Sequence, residues 1–278
     1  MAALLLTTMT PLMAEDTKSV SSPDGRLVVT VSNEDGRAYY DVKYDGQAVL
    51  LPSRLGLVAN YADFSKQLTM TRATEGKTSR DYETWQTKRS HGHYEANTLS
   101  VSFQTQQQQE MTVCFQVSDN DVAYRYQLAE AKGGKPKSVV VYREVSAFNF
   151  PDETATFLCP QISPMTGWER TKPSYEEDYL TDQPMDVKSK FRQGYTFPCL
   201  FKTPLRSPEG DKKASPQGGL EGVLWVLVSE TGVDGSYVGS HLSDYTKGEG
   251  YTIAFPQAGE NNGVASEYVG MALPGSTP

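Results

Sequence analysis

Apolar and polar residues alternate one by one along most of this 278-residue chain, and a period of two builds strands rather than helices. In "RLVVTVS" the apolar positions Leu27, Val29 and Val31 share one face. In "AYYDVKYDGQAVL" Tyr40, Val42 and Tyr44 do the same, before the two-residue turn Asp45-Gly46 reverses the chain into a hairpin. "TLSVSFQ" sets Leu99, Val101 and Phe103 against Ser100, Ser102 and Gln104, and "MTVCFQV" sets Met111, Val113, Phe115 and Val117 against Thr112, Cys114 and Gln116. The polar run Gln104 to Glu110 between them reads as a connecting loop. "DVAYRYQL" places Val122, Tyr124, Tyr126 and Leu128 opposite Arg125. The pattern predicts further strands over 138–142, 154–158, 195–201, 223–229, 236–242 and 251–255. Only "TKPSYEEDYLTD" has helical character: Pro173 suits a first turn, and Glu176 and Glu177 suit its positive end, enough for one short helix or an ordered loop. Many short strands separated by turn residues predict an all-β chain, a large antiparallel sandwich forming one domain over residues 15–278. "RSPEGDKKASPQGG", Arg206 to Gly219, reads as a surface excursion between two strands.

Composition narrows the class of partner. Hydrophobic residues make up 38% of the chain and include 16 Tyr and 10 Phe, enough for a sizeable core. The formal net charge is -8, and no basic run exceeds the pairs Lys88-Arg89 and Lys212-Lys213, which argues against nucleic acid and anionic lipid surfaces. The first 14 residues, "MAALLLTTMTPLMA", carry no charge and close on the small residue Ala14. They have the apolar and cleavage regions of a secretory leader and predict export to the periplasm or cell surface; a buried N-terminal strand or a loose tail is the alternative. This stretch is too short to span a bilayer, and no transmembrane segment is expected. Cys114, Cys159 and Cys199 cannot all pair and form no CxxC unit, leaving buried thiols, or one disulfide plus one thiol.

Motifs for nucleophilic or phosphate chemistry are missing: there is no G-x-S-x-G, no H-E-x-x-H and no phosphate-cradling glycine loop. His91-Gly92-His93 has a spacing that ligates metal when it lies on a strand, but Gly92 with Arg89 and Ser90 predicts a turn, with solvent-exposed or hydrogen-bonded histidines as the preferred reading. His241 follows a strand-like segment and either points into a cleft or is a partly buried strand histidine. Glu176, Glu177 and Asp178 lie among Trp168, Tyr175 and Tyr179. Rings beside carboxylates hold sugars, by stacking on apolar sugar faces and accepting from hydroxyls, so Trp168, Glu176 and Tyr179 are the candidate sugar-binding residues. A solvated loop with its rings tucked onto the sheet fits the same residues. "GVLWVLVSETG" contains six apolar residues, Val223 to Val228, which predict a strand covered on both faces. Alternation puts Leu224, Val226, Val228 and Glu230 on one of those faces, so that Glu230 either sits in solvent or has a cation to meet. Glu230 and Asp234 together fall short of the six to eight oxygens that calcium takes.

Several of these segments occur together, and in the same order, in a known family. "SPDGRLVVTVS", "PSRLGL", "HYEANTLSVSF", "VSDNDVAYRYQL", "YTFPCLF" and "WVLVSETGVDGSYVGSHL" resemble the N-terminal domain of glycoside hydrolase family 97 from Ser22 onward. The resemblance implies a two-sheet β-supersandwich similar to the galactose mutarotase-like fold. In complete members this domain packs on a (β/α)8 barrel, in exported, calcium-dependent α-glucosidases and α-galactosidases of polysaccharide utilisation. The reacting carboxylates of such enzymes lie on the barrel, so the resemblance implies no catalytic residue in this chain. It implies instead that Glu230 is one calcium ligand, a half-site completed by barrel glutamates in cis or in trans. Thr231 departs from the small apolar residue usual at its position. A free-standing carbohydrate-binding module is the competing reading, and an aldose mutarotase rests on fold analogy alone.

Overall fold

The computed structural model describes residues 16–133, 139–161, 178–204, 222–232, 239–255 and 270–272. Strands β1 (Asp16–Ser21), β2 (Leu27–Glu34), β3 (Arg37–Tyr44) and β4 (Gln47–Leu55) form an antiparallel sheet in chain order. Asp45 and Gly46 both have positive φ, 48° and 78°, the backbone a two-residue hairpin turn requires. The predicted inward positions Leu27, Val29, Val31, Tyr40 and Val42 are all buried. After Leu55 the chain leaves this sheet at Gly56, whose φ is 132°, and β5 (Leu57–Ala59) and β6 (Ala62–Asp63) join a different one. A Cβ on Gly56 would stand 2.3 Å from the Phe64 carbonyl oxygen, so no other residue fits this corner without displacing the backbone.

Strands β7 (Leu68–Glu83), β8 (His91–Thr105), β9 (Glu110–Val117) and β10 (Val122–Leu128) form an antiparallel meander. The loop expected over 104–110 is confined to residues 106–109, its ends being taken up by the flanking strands. Leu99, Val101, Phe103, Met111, Val113, Phe115 and Val117 are buried, each contributing about 1.5–3 kcal/mol of transfer free energy. Tyr40 of the first sheet meets Phe115 at 5.8 Å and Tyr124 at 5.5 Å between ring centroids, so these two sheets face each other across a shared core. His91 to His93 open β8 and do not form the predicted turn. The reversal comes earlier, at residues 84–90, where the Thr84 N–H donates to the Ser90 carbonyl at 2.8 Å. Cross-strand pairing with residues 81–83 holds Gly92 in an extended backbone.

The remaining strands are β11 (Val139–Glu144), β12 (Ala147–Phe148), β13 (Ala155–Pro160), β14 (Leu180–Pro184), β15 (Tyr195–Pro204), β16 (Val223–Val228), β17 (His241–Leu242), β18 (Tyr251–Ala254) and β19 (Gly270–Ala272). One sheet runs β19-β11-β5-β6; the other runs β12-β18-β17-β15-β13-β14, with β16 also paired to β15. The described strands are antiparallel throughout and fall into four hydrogen-bonded sheets, as an all-β antiparallel sandwich predicts, with the chain changing sheet at corners such as Gly56. Phe150 stacks on Phe201 at 4.1 Å, and Phe201 meets Tyr251 at 5.3 Å, filling the core beneath the large sheet.

One polar contact sits where the sheets meet. The Tyr126 hydroxyl of β10 accepts the Gly56 N–H at 2.8 Å and donates to Ser146 Oγ at 2.5 Å, and Ser146 Oγ donates to Glu144 Oε1 at 2.6 Å. Burial pushes the Tyr126 phenol well above its ordinary pKa, so it remains a neutral donor.

The short helix or ordered loop expected over 171–182 gives way to a strand at its C-terminal end. Leu180 to Pro184 form β14, where Leu180 pairs with Leu158 and Thr181 with Phe157, and ladder hydrogen bonds to β13 outweigh weak local helical signals. Residues 171–177, the excursion at 206–219 and the leader-like residues 1–14 lie outside the described residues. All three cysteines are free, Cys159 and Cys199 buried and Cys114 partly so. No helix among the described residues is long and apolar enough to cross a membrane.

Phe201 is fully buried in the contact between Phe150 and Tyr251. Phe201→Ala should therefore destabilise the fold by about 3–5 kcal/mol, lowering the urea midpoint without changing the slope of the transition.

Candidate functional site

β16 lies against the second half of β15, in register from Cys199 with Val228 to Pro204 with Val223. Val228 is buried, and Leu224 and Val226 pack on the core. The opposite face is open: Trp225 is 42% exposed and Leu227 63%. The expectation that both faces of this strand are covered is thus corrected for the described residues. An unbroken apolar run does not by itself reveal which face the sheet packs upon.

Glu230 follows two residues after the strand ends, exposed, with its Oε1 accepting from the Ser240 N–H at 3.1 Å and from Ser240 Oγ at 2.6 Å. Among the described residues no lysine or arginine pairs with it, and no three histidine, cysteine, aspartate or glutamate side chains converge into a metal-holding group. Among the described residues Glu230 is therefore oriented without being neutralised. An oxygen ligand of this kind suits a hard cation as one member of a larger set.

Ser240 owes its place to the short strand that follows it. His241 pairs with Ala254, Leu242 with Ile253, and Tyr195 with Leu242. Gly194, with φ 85°, lets the backbone of Leu242 come so near that a Cβ would stand 1.9 Å from its carbonyl oxygen. This contact fixes β17, β17 fixes Ser240, and Ser240 aims Glu230. His241 itself is buried, as a strand histidine rather than a cleft residue. Burial pushes its imidazole below the ordinary histidine range, opposed by a hydrogen bond with the Gln193 backbone. Its Nε2 and the Gln193 Oε1 have no hydrogen-bond partner among the described residues.

Of the other predicted site residues, Tyr179 lies just before β14 and is 54% exposed. Trp168 and Glu176, with Asp234, lie outside the described residues. The structure adds Ser240, which no sequence signal marks because its contact with Glu230 spans ten residues. It also adds Trp225, which alternation does place on the face opposite Val226. Its ring lies 5.2 Å from Phe157, with Lys202 Nζ 5.9 Å from the ring centroid and 3.9 Å from Asp182.

A family model described as "Glycosyl-hydrolase 97 N-terminal" matches residues 20–210. Among solved structures, a β-arabinopyranosidase is similar at 44% identity and a TM-score of 0.81; the match covers 94% of this chain and 39% of that one. A glycoside hydrolase family 97 enzyme from Pseudoalteromonas sp. strain K8 is similar in fold, at 17% identity and TM-score 0.62 in its complex with panose and at 18% and 0.60 in its complex with acarbose. The match covers 86% of this chain and 32% of that enzyme in both cases. The chain thus spans well under half the length of the proteins it resembles. No match is found among curated proteins.

The burial of His241 sets a pH dependence. Its pKa is about 6.5 in the unfolded chain and lower when folded, so the unfolded state takes up more protons as pH falls. The stability linked to this group should be fully present above about pH 6.5 and decline as pH drops toward the folded value. Urea midpoints measured from pH 8 to pH 5 should fall more steeply in the wild-type chain than in His241→Gln.

Proposed function

Because the chain belongs to the glycosyl-hydrolase 97 N-terminal family, we propose that it is the non-catalytic β-domain of a family 97 glycoside hydrolase. In this reading Glu230 supplies one calcium ligand to a site completed by a (β/α)8 barrel, in cis or in trans. The observation that carries the reading is the Glu230 carboxylate itself, exposed at a strand end and oriented by Ser240 through one oxygen. Hydrolysis of a glycoside needs two carboxylates flanking the scissile bond, and the reading assigns both to the barrel. When bound, calcium would supply Lewis-acid polarisation at the sugar; the task of this chain is to hold an oxygen where the ion sits.

The relatives lend support to a substrate class. The 44% identity to a β-arabinopyranosidase supports β-arabinopyranosides as a substrate class beside α-galactosides and α-glucosides. Tyr179 would form part of the sugar cleft with Trp168 and Glu176. The uncharged start of the chain supports export to the periplasm or cell surface, where polysaccharide utilisation begins.

A second reading, a free-standing carbohydrate-binding module, draws support from the outward Tyr179 and Trp225 rings. Calorimetry with galactosides and maltooligosaccharides separates the two, since millimolar sugar should give no heat with the isolated domain under the first reading. The purified chain should leave nitrophenyl α-galactoside, α-glucoside and β-L-arabinopyranoside intact; turnover abolished by a substitution within this chain would overturn the proposal. Grafted in place of the corresponding domain of the β-arabinopyranosidase, it should support hydrolysis, and Glu230→Gln should raise the calcium concentration needed for half-maximal activity by about tenfold or more.

A further inference from the structure

β7 and β8 continue past the sandwich as a two-stranded ribbon, in register through Lys77 with Asn97, Ser79 with Glu95, Asp81 with His93 and Glu83 with His91. Residues two apart on a strand share a face, and so do residues directly opposite on its partner. Asp81, Glu83, His91 and His93 therefore stand on one side of the ribbon, while Tyr82 and Gly92 take the other. His93 Nδ1 lies 2.7 Å from Asp81 Oδ1 and His91 Nδ1 lies 3.3 Å from Glu83 Oε1. An ionised carboxylate only accepts, so in the His93–Asp81 pair Nδ1 is the donor, and in the neutral tautomer with the proton on Nδ1 the Nε2 lone pair is the one offered to a metal. That is the arrangement in which a carboxylate orients a metal-ligating imidazole and raises its basicity. Ser79 Oγ touches His93 Nε2 only at 3.4 Å, and both histidine side chains are more than half exposed, so an ion has access.

We infer that His91 and His93 chelate a divalent transition-metal ion through their Nε2 atoms, with Asp81 and Glu83 as positioning residues. Two strand rises separate the histidine Cα atoms by about 6.7 Å, a gap that two imidazoles leaning toward one ion close with bonds of about 2.0–2.1 Å. Since no three donors converge among the described residues, water completes the shell and the affinity is moderate. Imidazole nitrogen selects copper, nickel or zinc, whereas calcium seeks oxygen, so this site is chemically separate from Glu230. The ion would clamp a ribbon of a kind only marginally stable by itself, and whose turn carries Trp85 at 92% exposure.

Isothermal titration of the 278-residue chain with zinc chloride, and separately with copper(II) chloride, tests this. The expected result is one ion per chain, copper binding more tightly than zinc. His91→Ala and His93→Ala should each weaken binding at least about tenfold, and Asp81→Asn or Glu83→Gln by about 10- to 100-fold. Glu230→Gln and excess calcium should leave the zinc isotherm unchanged. Absence of heat with both ions at millimolar concentration overturns the inference, as does an isotherm unaltered in the His91→Ala/His93→Ala double variant.

Discussion

Strand register is the constraint on which everything else here rests. Among the described residues there is no helix, so backbone groups buried away from water find partners mainly across ladders between strands. Because side chains alternate with a period of two, each ladder also decides which residues meet the core. Leu99 opposite Phe115, Val101 opposite Val113 and Phe103 opposite Met111 show the coupling: a slip of one residue would turn that whole apolar row to solvent. The same logic places the functional features. Glu230 projects where it does because β16 is in register with β15, and the ribbon histidines face Asp81 and Glu83 because β8 is in register with β7.

Close backbone approaches at glycine make this register compatible with a stack of sheets. Gly56 lets the chain turn from the first sheet into the β19-β11-β5-β6 sheet, and Gly194 lets β17 seat against the start of β15. The second approach bears on the proposed function, since it seats β17 and with it Ser240, which orients the candidate ion ligand Glu230. The charge on Glu230 is held in place by backbone geometry and one hydroxyl, with no counter-ion among the described residues.

The strand pattern was legible in sequence wherever alternation was strict, as in β2, β8 and β9, because one covered face leaves a clear period. It was less legible where local signals were short. The residues of β14 look helical in isolation, and only pairing with β13 makes them extended. Gly92 between two histidines suggests a turn until the fifteen-residue span of β8 is seen to carry it. The apolar run of β16 marks a strand without showing that Trp225 and Leu227 face outward. Within the candidate site, Glu230 was readable from its place at a strand end. Ser240 was not, since a hydrogen bond between segments ten residues apart depends on how the chain folds back. Trp168 and Glu176 lie outside the described residues, so the predicted aromatic platform is represented by Tyr179 alone.

The phenol of Tyr126 touches the borders of all four sheets through very few atoms. It sits on β10, accepts the N–H of the residue that joins β4 to β5, and donates a hydrogen bond to a serine between β11 and β12. Peeling any one sheet away would strand a donor or an acceptor inside an oil-like interior, a loss that the other three would share at once. One phenol thus ties together ladders that share no backbone hydrogen bond.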